Sequence, residues 1–254
     1  MRGLAIMDVL IPAGQPLSLA EIAGATNLDQ STTLRLLRTL EDARQVLRIG
    51  DGKRYIASPK ALRPLPLLHP LEQLRREADS ILRSLAARVG NTVVLVAFLG
   101  SERLVVDVML APNSLTPYYA TWLHGPLHAS GPGKAYLLSL DDQQRRAALG
   151  PEPYTAATSR TLTTWDAVRH DMQRSAERGY VTVADEFYDG LSAVAAPFFS
   201  WSGKAVGCIA ITGRTADFNE ATVQKAAVEL LNCTRLMPLQ VTSLSWLEQL
   251  SGRY

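Results

Sequence analysis

Apolar residues spaced three or four positions apart predict three helices in the N-terminal part of this chain. The first helix covers residues 2–13 and ends at the segment Pro12–Gly14, because proline and glycine do not continue a regular helix. Its apolar positions are Leu4, Met7, Val9 and Leu10.

The second helix is marked at its start by Ser18 and Glu21, which stand three residues apart. This is the spacing of a capping box, in which side chains and backbone N–H groups satisfy each other. Asn27 then supplies a turn residue that tolerates a positive φ, and Asp29 is placed to cap the third helix. The stripe expected to be buried is Leu19, Ile22 and Ala23, with Leu28 between the two helices.

The third helix, QSTTLRLLRTLEDA, combines an apolar stripe with a polar face. Leu34, Leu37 and Leu40 form the stripe and Leu36 widens it. Short hydroxyls and guanidinium groups near a helix N-terminus are typical of a helix that enters a DNA major groove. The residues predicted to approach DNA are Gln30, Ser31, Thr32, Thr33, Arg35, Arg38 and Thr39, and Arg35 is expected to contact a base edge.

A hairpin follows, with alternating strands near residues 45–49 and 54–58 around Gly50-Asp51-Gly52. Lys53 and Arg54 stand beside its tip and are suited to contact phosphates or the minor groove. Helix, capped helix, turn, helix and basic hairpin together predict a winged helix-turn-helix that binds double-stranded DNA. Two alternatives stay open: a small α+β core with solvated arginines, and a winged helix that binds protein.

The segment KALRPLPLLHP has three prolines in eleven residues and indicates a domain boundary near Arg63–His69. Pro70 suits the first turn of a helix that runs to about Arg88 and ends at Gly90. This helix could transmit motion between domains, pack on a partner subunit or pack within its own chain. Its apolar stripe is Leu71, Leu74, Ala78, Ile81, Leu82 and Leu85.

The remaining residues predict an α+β domain whose sheet is covered on both faces, because its first strands are almost continuously apolar. A pocket between sheet and loops is plausible there. The predicted strands are TVVLVAFLG, RLVVDVMLA, Ser114–Thr121, Tyr180–Ala184, Ser192–Phe199 and Lys204–Thr212. The predicted helices follow GPLHASGPGK, cover Asp141–Leu149, run from Thr164 to Arg178, and form a long final helix capped by Asn219.

Composition narrows the class of protein. Hydrophobic residues make up 47% and charged residues 20% of the chain, as in soluble globular proteins. No apolar run reaches the roughly 18 residues of a membrane span, and no secretion signal is recognisable. Cys208 and Cys233 lie outside any C-x-x-C spacing, and the four histidines show no metal-binding pairing. We therefore expect a cytoplasmic protein with no metal, no cofactor and no membrane partner.

Charge is divided unevenly along the chain. Residues 1–68 carry nine Lys/Arg and six Asp/Glu, a net charge of +3, whereas residues 69–254 carry 17 and 18, a net charge of −1. The positive excess falls on the segment with the predicted helix-turn-helix, which weakly favours a polyanionic partner.

Catalytic motifs find little support. Gly131-Pro132-Gly133-Lys134 fails as a phosphate loop because His128 stands where that motif needs glycine and Ala135 replaces the hydroxyl. Ser130 and His128 lack a fitting acid. Asp185 and Glu186 are adjacent, so on an extended segment they point to opposite faces, one structural and the other solvated. The larger domain is therefore expected to bind a ligand rather than to catalyse a reaction.

Nearly the whole chain resembles the isocitrate-lyase-regulator (IclR) family of bacterial transcription factors. The resemblance rests on SLAEIAGATNLDQSTTLRLLRTLE and GKRYIASPKAL, then on GPLHASGPGKAYL, RGYVTVADEFYDGLSAVAAPFF and AVGCIAITG. It implies a winged helix-turn-helix in residues 1–62, a linker and connecting helix in 63–88, and a GAF-like effector-binding α+β domain in 89–254. It also implies a homodimer, often a homotetramer, that binds a pseudo-palindromic operator and controls a catabolic operon.

The resemblance places an effector pocket at the start of the GPGK helix and on three strands. The residues implied are Ser130, Gly131, Pro132, Gly133, Val183, Leu191, Ala193, Ala210 and Thr212. Members that bind glyoxylate or pyruvate have Asp, Cys and two Ser where this chain has Val183, Ala193, Ala210 and Thr212. Because a small hydrated acid would lose hydrogen bonds there, at about 1–3 kcal/mol each, we expect a larger apolar effector such as an aromatic acid. Backbone N–H groups around Gly131 and Gly133 are expected to hold its carboxylate.

Two further hypotheses stand beside this interpretation. One is a small-molecule sensor whose winged helix contacts protein instead of DNA. The other is an enzyme that acts on its ligand, which the missing nucleophile and metal set disfavours.

Overall fold

A computed structural model describes residues 2–13, 15–50, 53–59, 61, 69–112 and 123–251. The chain divides into two compact units, Met1–Leu65 and Pro66–Tyr254. Three features expected from the sequence lie outside the described residues: the hairpin tip at 51–52, most of the proline-rich linker and the strand at 114–121.

The first unit is three helices followed by a hairpin, as the sequence predicts. Its helices are α1 (Arg2–Leu10), α2 (Leu19–Thr26) and α3 (Gln30–Asp42), and its strands are β1 (Leu17–Ser18), β2 (Val46–Ile49) and β3 (Arg54–Ala57). The strands form an antiparallel sheet in the order β1-β3-β2. The two-residue strand β1 is not predicted by the sequence pattern, because two residues cannot display an alternation.

Capping residues end these helices where the sequence places them. Ser18 and Glu21 form both hydrogen bonds of a capping box at the start of α2. Asn27 follows α2 with a φ of 51°, in the left-handed region. The Asp29 side chain accepts a hydrogen bond from the N–H of Thr32 and caps α3.

The core of the first unit corrects the predicted orientation of α3. Thr33 and Leu37 are fully buried, whereas Leu34 is half-buried and is not part of the apolar cluster around Ile6, Ile22 and Leu37. The Thr33 hydroxyl donates to the carbonyl of Asp29 at 2.9 Å, which satisfies this polar group inside the core. The prediction that Thr33 contacts DNA is therefore wrong, because its side chain has no exposed surface.

The second unit is a five-stranded antiparallel sheet between two helical layers, in the strand order β5-β4-β8-β7-β6. Its strands are β4 (Thr92–Leu99), β5 (Glu102–Met109), β6 (Val181–Ala184), β7 (Leu191–Phe199) and β8 (Ala205–Arg214). Its helices are α4 (Pro70–Val89), α5 (Gly131–Leu138), α6 (Asp142–Leu149), α7 (Trp165–Arg178), α8 (Glu220–Gln240) and α9 (Leu244–Ser251).

Both faces of this sheet are covered, as the apolar strands predict. Along β4, Val93 and Leu95 belong to the cluster formed with α4, α8 and α9, whereas Val94 and Phe98 belong to the cluster formed with α5 and α7. All eight residues of β4 are buried. The fold class is therefore α+β, with a winged helix-turn-helix preceding it.

Helix α4 contributes its whole predicted apolar stripe to the core of the second unit. The sequence interpretation sets this segment apart as a linker and connecting helix. Because its buried leucines pack beneath the sheet, α4 is a layer of the larger unit.

The long final helix of the sequence prediction is two helices. Val241 takes an extended conformation after α8, and Thr242 and Ser243 then form the turn into α9. The Glu77 carboxylate of α4 accepts hydrogen bonds from the Ser243 N–H and hydroxyl at 3.0 and 2.9 Å, which pins this break. Even α8 does not qualify as a bilayer-spanning segment, and the same holds for each other helix in the described ranges.

Candidate functional site

The polar face of α3 is open to solvent over most of its length. Gln30, Ser31, Arg35, Arg38 and Thr39 are exposed, and Thr32 is half-buried. Within the described part of the chain, neither Arg35 nor Arg38 takes part in a salt bridge. Their guanidinium groups are therefore available to an external acceptor such as a base edge or a phosphate.

Asp29 organises the first turn of this face. Its Oδ1 accepts hydrogen bonds from the Ser31 hydroxyl at 2.6 Å and from the Thr32 N–H at 2.8 Å. The Ser31 hydroxyl, followed by the Thr32 N–H, holds the pKa of Asp29 well below its usual range. The carboxylate is thus charged at neutral pH and fixes the N-terminus of α3.

We expect Asp29→Ala to lower the melting temperature and weaken operator binding, whereas Asp29→Asn should stay near the parent at pH 7 because an amide oxygen also caps a helix. Since folding lowers the pKa of Asp29, its stabilisation is present above the unfolded-state pKa and is lost as pH falls through the folded-state value. Thermal melts of the three proteins between pH 7 and pH 2 follow the first part of this loss, which begins just below the unfolded-state pKa. An Asn variant that loses stability on acidification as steeply as the parent contradicts it.

The hairpin presents its two predicted cations differently. Lys53 is exposed in the turn before β3. Arg54 instead lies against the unit, where its Nη1 donates to the carbonyl of Pro16 at 3.0 Å and lies 3.9 Å from the Glu21 carboxylate. Both cations are thus exposed beside the hairpin tip, and Arg54 also ties β3 to the start of α2.

A cavity of about 400 Å³ opens in the second unit between the start of α5, the end of β6 and the start of β7. It brings together seven of the nine residues that the family resemblance implies. These are Ser130, Gly131, Pro132, Val183, Leu191, Ala193 and Thr212.

Gly133 and Ala210 are not brought to this cavity. Ala210 is fully buried on β8 within the cluster beneath α5. The Gly133 N–H donates to Ser130 Oγ at 3.2 Å and is therefore occupied inside the helix turn. Contrary to the expectation from the sequence, this N–H is therefore not available to hold a ligand carboxylate.

The sequence interpretation misses the outer wall of the cavity. Phe187 and Tyr188 follow β6 with ring centroids 4.3 Å apart, and Phe187 lies against Gly125 so closely that a Cβ there would be 2.8 Å from the ring. The signal in the sequence is the pair of adjacent aromatic residues, Phe187 and Tyr188, between two predicted strands. The further lining residues are Leu123, His124, Gly125, Pro126, Ala129, Phe187, Tyr188 and Ser192.

Arg103 of β5 holds the segment that closes the cavity, and no local pattern in the sequence points to it. Its guanidinium donates to the carbonyls of Leu123 and Gly125 at 3.1 and 2.6 Å and to Ser130 Oγ at 3.2 Å. Ser130 Oγ also donates to the carbonyl of Pro126 at 2.9 Å. With the bond from Gly133, this hydroxyl has all three of its hydrogen bonds formed within the protein.

The adjacent carboxylates Asp185 and Glu186 do point apart; Asp185 is half-buried and Glu186 is buried. Asp185 has a φ of 58° and accepts hydrogen bonds from the Gly190 N–H and the Thr215 hydroxyl, both at 2.7 Å. Glu186 is buried, and its Oε1 accepts a hydrogen bond from Lys134 at 2.7 Å. Burial raises the pKa of Glu186, against the opposing charge of Lys134. Both side chains are thus committed to holding the loop that carries Phe187 and Tyr188.

An exposed polar helix that carries two arginines, followed by a hairpin and a separate α+β unit, defines the helix-turn-helix class of DNA-binding regulator. Residues 69–237 match the family model "Bacterial transcriptional regulator IclR C-terminal", and residues 1–49 match the "IclR helix-turn-helix domain". The chain belongs to the IclR family of bacterial transcriptional regulators.

Relatives in this family extend over most of the chain. The transcriptional repressor IclR of Escherichia coli K12 is 27% identical over 239 residues, covering 90% of this chain and 87% of that protein. The repressor AllR of Salmonella typhi is 28% identical over 233 residues, covering 86% and 80%. Because the matching families and proteins are transcriptional regulators, this chain is a DNA-binding regulator and not an enzyme.

Solved structures share the fold at low sequence identity. A putative IclR regulator from Silicibacter sp. TM1040 superposes with a TM-score of 0.78 at 18% identity, covering 94% of both chains. An IclR homologue from Microbacterium hydrocarbonoxydans, solved in complex with 4-hydroxybenzoate, superposes with a TM-score of 0.74 at 19% identity, covering 92% of this chain and 98% of that one.

Proposed function

We propose that this regulator controls a catabolic operon and that an apolar organic acid of aromatic type modulates its operator binding from the cavity beside α5. The observation that carries the proposal is the cavity itself: about 400 Å³ of space with an aromatic wall and few free polar groups. Its size falls within the range of small-molecule sites in proteins, about 300–1,000 Å³.

The chemistry of the lining supports an apolar occupant. Val183 and Ala193 offer only aliphatic surface. The Thr212 hydroxyl donates to the carbonyl of Ser192 at 3.1 Å, and the Ser130 hydroxyl is fully engaged within the protein. A two- or three-carbon keto acid would leave its hydration shell for few new partners, which costs about 1–3 kcal/mol per unsatisfied group.

The start of α5 offers a feature suited to a carboxylate. Gly131 lines the cavity at the first helical position, and its N–H has no acceptor among the described residues. The positive end of the helix dipole adds about 0.3–1 kcal/mol for a negative charge. An aromatic acid would place its carboxylate at Gly131 and its ring toward Phe187 and Tyr188.

DNA binding would use two copies of the chain, as a homodimer or homotetramer on a pseudo-palindromic operator. One recognition helix reaches only a few base pairs, so a symmetric pair is required for useful specificity. Effector binding would change operator affinity only as far as the effector prefers one arrangement of the two DNA-binding units.

The test is a ligand panel of benzoate, 4-hydroxybenzoate, glyoxylate and pyruvate, measured by calorimetry and by thermal shift. We expect an aromatic acid to bind and, at 100 times its dissociation constant, to stabilise the protein by about 2.7 kcal/mol. The same acid should change the gel shift of DNA taken from upstream of the protein's own gene. Tight binding of glyoxylate without any response to aromatic acids contradicts the proposal.

A pair of aromatic substitutions locates the site. Tyr188 lines the cavity and is 47% exposed, so Tyr188→Ala should weaken aromatic-acid binding about threefold to tenfold with little change in melting temperature. Trp201→Ala is the matched control, because Trp201 is 76% exposed and does not line the cavity. Equal effects of both substitutions on ligand affinity argue for a different site.

A further inference from the structure

Behind the cavity, a buried ammonium group joins three separate elements of the second unit. Lys134 of α5 is 1% exposed, and its Nζ donates to Asp171 Oδ2 of α7 at 2.8 Å and to Glu186 Oε1 at 2.7 Å. The carbonyl of Thr182 on β6 accepts a longer hydrogen bond from it at 3.4 Å. All three N–H groups of the ammonium thus have acceptors, as burial of a cation requires.

Two of these three elements also contribute to the walls of the cavity. Lys134 lies one helical turn after Gly131, which lines the cavity. Glu186 immediately precedes Phe187 and Tyr188, which form the aromatic wall. Asp171 lies in the middle of α7, and no residue of α7 lines the cavity. The Lys134–Glu186 pair is therefore a direct link between the two walls, whereas the Lys134–Asp171 pair is not.

Apart from Glu186, the loop that carries Phe187 is held by contacts with residues outside α5, including the packing of Phe187 on Gly125. The backbone carbonyl of Glu186 accepts a hydrogen bond from the Thr161 hydroxyl at 2.6 Å, and Asp185 is tied to Thr215 of the segment after β8. Neither of these hydrogen bonds involves a residue of α5. Buried ion pairs add little net stability compared with apolar packing, but they specify geometry because their charged partners must meet.

We propose that Lys134 and Glu186 are positioning residues for the effector: their ion pair sets the width of the cavity between the start of α5 and the Phe187–Tyr188 wall. The inference rests on the proposed effector site. Neither side chain lines the cavity, so neither contacts the ligand.

Two single substitutions form a matched pair, because each changes the charge of the cluster by the same amount. Glu186→Gln and Asp171→Asn each remove one carboxylate from the same cluster, and each leaves Lys134 with one carboxylate partner. Only Glu186→Gln weakens the link between the cavity walls. If the cluster has only a structural role, the two variants should have similar loop exchange rates and similar ligand affinities. If Lys134 and Glu186 position the loop, the two variants should differ in both.

The first measurement needs no ligand. Amide hydrogen exchange of residues 185–190 should become faster in Glu186→Gln than in Asp171→Asn by about tenfold, since only in Glu186→Gln does that loop lose its charge–charge attraction to Lys134 and keep at most a hydrogen bond to an amide oxygen. The second measurement is the dissociation constant for 4-hydroxybenzoate and benzoate, which should rise about tenfold or more in Glu186→Gln and less than about twofold in Asp171→Asn.

If Glu186→Gln does not fold, the double variant Lys134→Met/Glu186→Gln takes its place. That variant leaves Asp171 with Arg174, whose Nη2 is 3.3 Å from Asp171 Oδ1, so no charge stays buried alone. Equal exchange rates and equal affinities in the Glu186 and Asp171 variants overturn the inference. Failure of the parent protein to bind any aromatic acid, with the exchange difference intact, overturns the proposed effector class but leaves the link between the walls supported.

Discussion

Arg35→Ala will abolish specific operator binding while leaving ligand binding in the second unit unchanged. Arg35 is exposed on α3, and its guanidinium makes no salt bridge with a described residue. A bidentate contact between arginine and a base is worth about 1–3 kcal/mol. Because a dimer loses this contact in both half-sites, specific affinity should fall at least about 30-fold. Fluorescence anisotropy with operator and scrambled duplexes at one salt concentration measures this loss.

Two further variants, one at an arginine and one at a lysine, distinguish the loss of a base contact from the loss of a positive charge. Arg169→Ala removes one positive charge from α7 in the second unit and should leave operator affinity unchanged. Lys53→Ala should weaken binding to operator and scrambled DNA alike and reduce the salt dependence by about one counterion per site. If Arg35→Ala instead weakens operator and ligand binding equally, the substitution has disturbed folding and Arg35 is not a reading residue.

The second large effect is expected from Gly133→Ala at the start of α5. A Cβ at Gly133 would lie 2.5 Å from the carbonyl oxygen of Leu127 and 2.6 Å from its Cα, so backbone atoms would have to move. Overpacking of this kind costs about 3 kcal/mol, near the upper end of its usual range. For a unit of this size the melting temperature should fall by about 6–12 °C. Calorimetric melting of the full chain records the change.

Gly24→Ala is the matched control for this substitution. Gly24 lies in α2, where an added Cβ meets nothing within 4 Å. Alanine in a helix interior is favoured over glycine by about 0.5–1 kcal/mol, so this variant should be as stable as the parent or slightly more stable. A Gly133→Ala protein that melts at the parent's temperature shows that the Leu127 segment yields without cost.

The sequence predicts most helices and strands of this fold because their signals are local. Ser18, Asp29 and Asn219 cap helices within three residues of themselves, and each cap is present in the structure. The orientation of α3 about its axis is harder to predict from the sequence pattern. Thr33 and Leu34 are neighbours, and only tertiary packing decides which of the two enters the core. A threonine can do so because its hydroxyl bonds the preceding turn.

The candidate cavity is predicted only in part, for a related reason. The family resemblance predicts the lining residues that lie on the strands: Val183, Ala193 and Thr212. The outer wall of the cavity depends on contacts between distant segments, such as Arg103 with Leu123 and Phe187 with Gly125, that no spacing in the sequence encodes. The break between α8 and α9 is missed likewise, because Glu77 pins it from 166 residues away.

Part of the cavity is formed by the packed strands and part by the loops that carry its aromatic residues. This division is useful for the engineering of sensors. Tyr188 and His124 sit in connecting segments and are exposed, so exchanging them alters the shape offered to a small molecule without touching the packed strands. A library confined to those two positions should retain a folded scaffold in most of its members. Reporter strains responsive to new aromatic compounds could therefore be selected from this chain with few substitutions.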